Sequence, residues 1–220
     1  MKYCKALLFG SIGSIVETSE IQRKSFNKAF KQYGLDWNWT KREYLSLLSK
    51  SGGKDRISRY AKKKKIEVNS VYLRNLKTKI FNNYLKKNRL KLRSGVKNLI
   101  SLCKKENIKI AFVSSTSKNN INAILYCLRN SINKKDFNFI GNSKLVKKFK
   151  PNPAIYLLAL KKLKLKANDC LAIEDTQESL NSAKRAKIKC IIFPGKFHSS
   201  RKFSGALKKV YRLNKNIILR

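Results

Sequence analysis

Between residues 95 and 193 the chain alternates short apolar runs with stretches of helical period, and that alternation leaves few folds open. The runs at 108–113, 137–140, 170–173 and 190–193 are too short for helices and too continuously apolar for half-exposed strands. That is the pattern of strands buried on both faces of a parallel sheet. Helical period fills the gaps at 96–104, 118–128 and 153–163, and again after Thr176, an N-cap residue followed by Leu180, Ala183 and Ala186 on one face. A further run, Ala6-Leu7-Leu8-Phe9, supplies a first strand ending in a loop with Gly10 and Gly13. The expected fold is α/β with a Rossmann-like parallel sheet of about five strands.

The first strand is separated from the rest by a segment with helical patterns only. Ile21, Ser25, Phe26, Ala29 and Phe30 share a helical face that Gly34 ends, Thr40 caps a second helix through Leu48, and residues 71–84 make a last one. Between them, residues 51–56 read as a loop running into another helix. Residues 17–91 are therefore expected to be an inserted helical domain with Trp37 and Trp39 in its core, and 1–16 with 92–220 a discontinuous α/β core. Past Pro194 the sequence is basic and weakly patterned and supports no assignment.

One stretch carries chemistry. The strand at 170–173 stops at Glu174-Asp175, the only adjacent acidic pair in a chain with 12 acidic residues. The carboxyl edge of an open α/β sheet is where ligands bind, and two carboxylates there suit a hard cation such as Mg²⁺. Ser114-Ser115-Thr116 after the second strand and Lys150 before Pro151 fall on the same edge, where hydroxyls, amides and a lysine suit a phosphate.

Composition limits the alternatives. The net charge of +40 permits salt-dependent attraction to nucleic acid. The basic residues are spread along the whole length, however, and lysine comes with abundant asparagine and isoleucine, as in chains coded by A- and T-rich DNA, so nucleic acid is not the favoured partner. No apolar run approaches the roughly 18 residues of a spanning helix. The first ten residues are too short in their apolar part for a secretory signal. A cytoplasmic or organelle-stromal protein is expected, neither secreted nor membrane-bound. Five widely spaced cysteines in apolar segments read as small core residues in a reducing compartment.

The ordered set Ala6-Leu7-Leu8-Phe9, Gly13, Glu17-Thr18, residues 26–30, Gly34-Leu35-Asp36-Trp37, residues 51–57, residues 114–117, Lys150-Pro151-Asn152-Pro153 with Ile155-Tyr156, and Ala172-Ile173-Glu174-Asp175 resembles the haloacid dehalogenase (HAD) superfamily. Within it, the likeness is to the CbbY-like branch near phosphoglycolate phosphatases and β-phosphoglucomutases. The resemblance implies a HAD core with a helical cap, Mg²⁺ as cofactor and a phosphorylated small molecule as ligand. It implies phosphate binding by Ser114, Ser115 and Lys150, metal ligation by Glu174 and Asp175, and a substrate loop in the cap at Gly52, Gly53, Lys54 and Arg56. It also implies two aspartates, the nucleophile and the general acid/base, at positions that here hold Gly10 and Ile12. Glycine has no side chain to attack phosphorus, and isoleucine moves no proton.

The leading expectation is thus a CbbY-type HAD protein that is inactive or impaired, with Mg²⁺ weakly held or absent and a phosphorylated ligand still bound. Restoring both aspartates is expected to restore turnover. One alternative is an active sugar-phosphate phosphatase with a non-standard nucleophile. Ser11 lies between the two lost positions, but strand alternation is expected to turn it from the site, and the only histidine, His198, lies in the unassigned tail. Another is a basic structural or RNA-binding protein on a degenerate enzyme fold.

Overall fold

The computed structural model describes residues 4–48 and 52–218. The chain forms two compact units, Met1–Glu17 with Arg89–Arg220, and Thr18–Asn88.

The first unit is built on six parallel strands in the order β3-β2-β1-β4-β5-β6: β1 Ala6–Phe9, β2 Lys109–Val113, β3 Phe139–Gly141, β4 Cys170–Glu174, β5 Lys189–Ile192 and β6 Lys208–Lys209. The sixth strand lies in the segment that supported no assignment. It is two charged residues long, and a period of two has no room to show in it. β3 begins two residues later than the apolar run predicts, because a short 3₁₀ turn at Lys134–Asp136 precedes it.

Burial follows the alternation that strands impose. Ala6, Leu8, Ala111, Val113, Cys170, Ala172, Cys190 and Ile192 form one core cluster with apolar residues of α7 (Ala154–Leu163) and α8 (Gln177–Arg185). The intervening Leu7, Phe9, Ile110, Phe112, Leu171 and Ile173 are also buried, as a sheet covered on both faces requires. α5 (Val96–Lys105) packs on β2, and α6 (Lys118–Cys127) follows β2. The register aligns Phe9 with Phe112 and Ile173, which brings the ends of β1, β2 and β4 to one carboxyl edge.

Among the described residues the second unit has four helices, α1 Ser19–Gln32, α2 Lys41–Leu47, α3 Gly53–Lys64 and α4 Ser70–Lys87. Thr40 and Glu43 form a capping box at the start of α2. Trp37 and Trp39 are buried, and Trp39 packs against Phe26, Phe30 and Tyr44 with ring centroids 4.7–5.9 Å apart.

The described residues of the expected substrate loop lie at the start of α3. Ser51 lies outside the described residues, Gly52 is the N-cap, and Gly53, Lys54 and Arg56 belong to the first turn of α3. Arg56 is buried. Its Nε donates to the Leu47 carbonyl at 3.0 Å and its guanidinium lies over the rings of Phe26 and Tyr44. A planar cation stacks on aromatic faces readily, so Arg56 covers the aromatic core, while Lys54 stays exposed.

Candidate active site

Gly10 directly follows β1, its N–H donating to the Ile173 carbonyl at 2.9 Å. A β-carbon there would lie 2.0 Å from Glu174 Oε1 and 2.2 Å from the Tyr156 hydroxyl. The space a side chain at position 10 would need is filled by a carboxylate and a phenol.

Glu174 closes β4 with no exposed surface. Its Oε1 accepts from Lys150 Nζ at 2.5 Å and from the Tyr156 hydroxyl at 2.6 Å, and Lys150 also donates to the Gly10 carbonyl. Oε2 has no partner among the described residues. Burial pushes the Glu174 carboxyl above the usual carboxylate range, and the Lys150 ammonium opposes that rise. Burial, and then the nearby Glu174 charge, push the Tyr156 phenol and the Cys190 thiol well above their ordinary values.

Tyr156 was not legible as a site residue. It falls with Ile155, Ala159 and Leu163 on the core-facing side of α7, where it reads as apolar filling. The available signal was its hydroxyl, because a buried tyrosine usually finds a hydrogen-bond partner.

The next residues depart from strand geometry. Residues Ile12–Ser14 form a 3₁₀ turn with Ser11 as its N-cap, so alternation ends at Phe9 and no longer governs Ser11. Contrary to expectation, Ser11 Oγ faces the acidic pair and donates to Asp175 Oδ1 at 2.8 Å. Asp175 Oδ2 would lie 1.7 Å from a β-carbon at Gly13, which explains why that position holds glycine. The Ile12 carbonyl accepts from the amides of Ile15 and Val16.

Ser114 is buried directly after β2, and its Oγ accepts from the Thr116 amide at 3.2 Å. Ser115 Oγ is buried without a partner among the described residues, beside the N-terminus of α6 that Ser117 caps. The edge therefore joins Gly10, Lys150 and Glu174 in direct contact, pairs Ser11 with Asp175, and places Ser114 and Ser115 at the end of the neighbouring strand.

Sequence reasoning also missed Arg93. Its guanidinium donates to the carbonyls of Gly13, Phe193 and Pro194 at 2.5–2.6 Å and lies 3.4 Å from the Phe193 ring centroid. Three carbonyls at the ends of two strands are thereby tied to one side chain.

A sequence model of the haloacid dehalogenase-like hydrolases matches residues 13–193. The chain belongs to that family. Within it, the chain is 33% identical over 205 residues to protein CbbY of Cereibacter sphaeroides, covering 92% of this chain and 89% of that one. Two crystal structures of CbbY from Rhodobacter sphaeroides are similar in fold. One, in complex with phosphate, gives a TM-score of 0.84 at 31% identity and covers 94% of this chain and 93% of that chain. A mutant in complex with xylulose-(1,5)bisphosphate gives 0.83 at 30% identity with the same coverage. The chain is thus a HAD protein of the CbbY type.

HAD proteins generally use Mg²⁺, and the carboxylates that the resemblance assigns to it here are Glu174 and Asp175. Among the described residues no three His, Cys, Asp or Glu side chains are grouped as metal ligands. One Glu174 oxygen is neutralised by Lys150, one Asp175 oxygen accepts from Ser11, and the Ile12 carbonyl serves two amides. Mg²⁺ demands near-ideal octahedral geometry, and an ammonium already stands against the carboxylate that would bind it. Titration calorimetry is expected to show no stoichiometric Mg²⁺ binding below millimolar concentration; tight one-to-one binding would contradict this account. Among the described residues no helix is long and apolar enough to cross a membrane.

Proposed function

We propose that this chain is a CbbY-type HAD protein that has lost aspartyl-phosphate turnover and retains a site for a phosphorylated small molecule. The observation that carries this reading is the filling of the Gly10 position. Glu174 and Tyr156 occupy the space where the family resemblance puts a nucleophile, and Lys150 neutralises the carboxylate. With no exposed surface, Glu174 reaches no phosphorus atom itself. Ile12 offers nothing that can move a proton. The family match begins at residue 13, just past both positions.

Ligand binding rests on what remains at the edge. Ser115 Oγ lacks a partner among the described residues and the α6 N-terminus supplies amides, while Lys150 is engaged by Glu174 and the Gly10 carbonyl. Phosphate and xylulose-(1,5)bisphosphate in the CbbY complexes support the ligand class.

Thermal unfolding in millimolar phosphate or xylulose-(1,5)bisphosphate tests the binding half. A ligand at 100 times its Kd stabilises by about 2.7 kcal/mol. That is a rise of roughly 5–10 °C in Tm for a chain of this size. No shift with either compound would remove the retained site. In the same solutions, no phosphate release above background is expected with or without added Mg²⁺.

One contact favours a second reading, in which the protein is active through Ser11. Its hydroxyl is hydrogen-bonded to a carboxylate, the start of a nucleophile and base arrangement. Phosphate release that vanishes in Ser11→Ala and in Asp175→Asn would establish it.

A further inference from the structure

We infer that the helical unit carries a second binding site, a groove between α1 and α4 that takes a single strand of nucleic acid. The groove has a volume of about 670 Å³ and lies wholly within Thr18–Asn88. Lys24 and Lys28 line it from α1, and Lys79, Asn83 and Lys87 from α4. Each set is spaced by four residues, so each forms a stripe on one helical face, and the α4 stripe runs for about 12 Å. The floor is apolar, with Leu76 and Ile80, and Tyr84 beside it is 44% exposed.

The charge along this groove is compensated only in part. Among the described residues the only carboxylate lining it belongs to Glu20, which is held by Arg23 through two bonds of 2.6 and 2.9 Å and also lies near Lys24. None of the four lysines makes an ion pair among the described residues. Cations beside an apolar floor, with an exposed aromatic ring, match a polyanion whose charges alternate with flat apolar rings. In a single strand the phosphates meet the lysines and a base stacks on Tyr84. A duplex hides its base faces and gives the floor nothing to bury. Asn83 in the lining adds a donor and an acceptor. The chain's +40 charge draws such a ligand in but selects no location, whereas the two stripes and the tyrosine do.

The test is fluorescence anisotropy with labelled ten-nucleotide oligo(U) and oligo(dT) between 50 and 200 mM salt, all variants first checked for folding by circular dichroism. The wild type is expected to bind with affinity falling steeply in salt. Lys79→Glu with Lys87→Glu is expected to weaken binding at least tenfold and to lower the slope of log affinity against log salt by roughly 1.4, about 0.7 for each phosphate no longer neutralised. Tyr84→Ala is expected to weaken it at least fivefold with the slope unchanged. Lys63→Glu with Lys64→Glu, the same charge change at the exposed end of α3, is expected to leave affinity within threefold. The inference is overturned if the wild type does not bind at 50 mM salt, or if both double variants lose affinity equally. It is likewise overturned if Tyr84→Ala has no effect, or if an acidic amphipathic peptide displaces the oligonucleotide from the groove at lower concentration than unlabelled oligo(U).

Discussion

A Gly10→Asp/Ile12→Asp double variant is expected to remain inactive toward sugar phosphates, and adding Tyr156→Phe is expected to raise phosphate release roughly a hundredfold or more over the double variant. The sequence alone leads to the opposite expectation for the double variant, because it shows two missing acids and nothing in their place. The structure shows the space already taken. A β-carbon at position 10 would sit 2.0 Å from Glu174 Oε1 and 2.2 Å from the Tyr156 hydroxyl. The carboxylate is the far end of a flexible chain and can swing away, but the phenol is fixed by a fully buried ring in α7. An aspartate forced in would also bring a second negative charge against Glu174 with one ammonium between them, which drives one of the two to protonate.

Tyr156→Phe removes the obstructing oxygen and keeps the ring. Lys150 can then face an aspartate at position 10, and Glu174 keeps one donor. The expected gain is a small part of the roughly million-fold that a complete catalytic unit contributes in a well-studied protease, since misplacement by about an ångström erases much of it. The assay is phosphate release with Mg²⁺ supplied, on variants matched for thermal stability. An active double variant would show that the phenol is no obstacle; a folded but inert triple variant would show that the drift extends past these three positions.

Replacing Lys77 with methionine is expected to stabilise the protein at pH 7 by about 2 kcal/mol and to do nothing, or slightly destabilise it, near pH 10. Lys77 is buried in the helical unit, its ammonium 4.8 and 4.9 Å from the ring centroids of Phe26 and Phe81 and bonded to Gln22 Oε1. No carboxylate accompanies it in an ion pair among the described residues. Burial first, and then repulsion from Arg56 and Arg74, bring its pKa down from 10.5 to about 7.

The sign follows from proton counting. Between about pH 7 and 10.5 the unfolded chain holds a proton at this site that the folded chain has released, so stability rises with pH across that window. Below pH 7 both states are charged and the full penalty applies, on the order of 5 kcal/mol at most. Methionine fills a similar volume without the charge. The orphaned Gln22 oxygen and the missing cation–π attraction take back about 2 kcal/mol of the gain. Urea unfolding at pH 6.5 and 9.5, followed by the fluorescence of the buried Trp37 and Trp39, measures the difference. A variant that is less stable by the same amount at both pH values would show that the buried ammonium is fully compensated.

The parallel sheet was readable because strands buried on both faces must be apolar throughout, and residues 108–113 and 170–173 nearly are. β6 was not readable, since Lys208–Lys209 join the sheet through backbone bonds alone and no side-chain pattern records them. The sheet edge was readable as a place, because strand ends are marked by Gly10, Ser114 and Glu174. What those residues do to one another was not. The approach of Tyr156 to Gly10, the turn that points Ser11 at Asp175, and the inward rotation of Arg56 depend on distances between residues 9 to 164 positions apart, which no local pattern encodes. Residue type limited the chemistry available at each position. Only packing decided whether a charge such as that of Lys150 faces a ligand or a neighbouring carboxylate.

The Arg93 clamp behaves unlike the ion pair at the same sheet edge. Glu174 and Lys150 hold each other only while the carboxyl is ionised, and burial makes that carboxyl easier to protonate than an ordinary one. All three acceptors of Arg93 are backbone carbonyls, which have no proton to gain in mild acid. On acidification the charge pairing at the end of β4 is therefore lost first, while the loop at Gly13 stays fastened to the end of β5. The sheet edge keeps its shape after its electrostatics have changed.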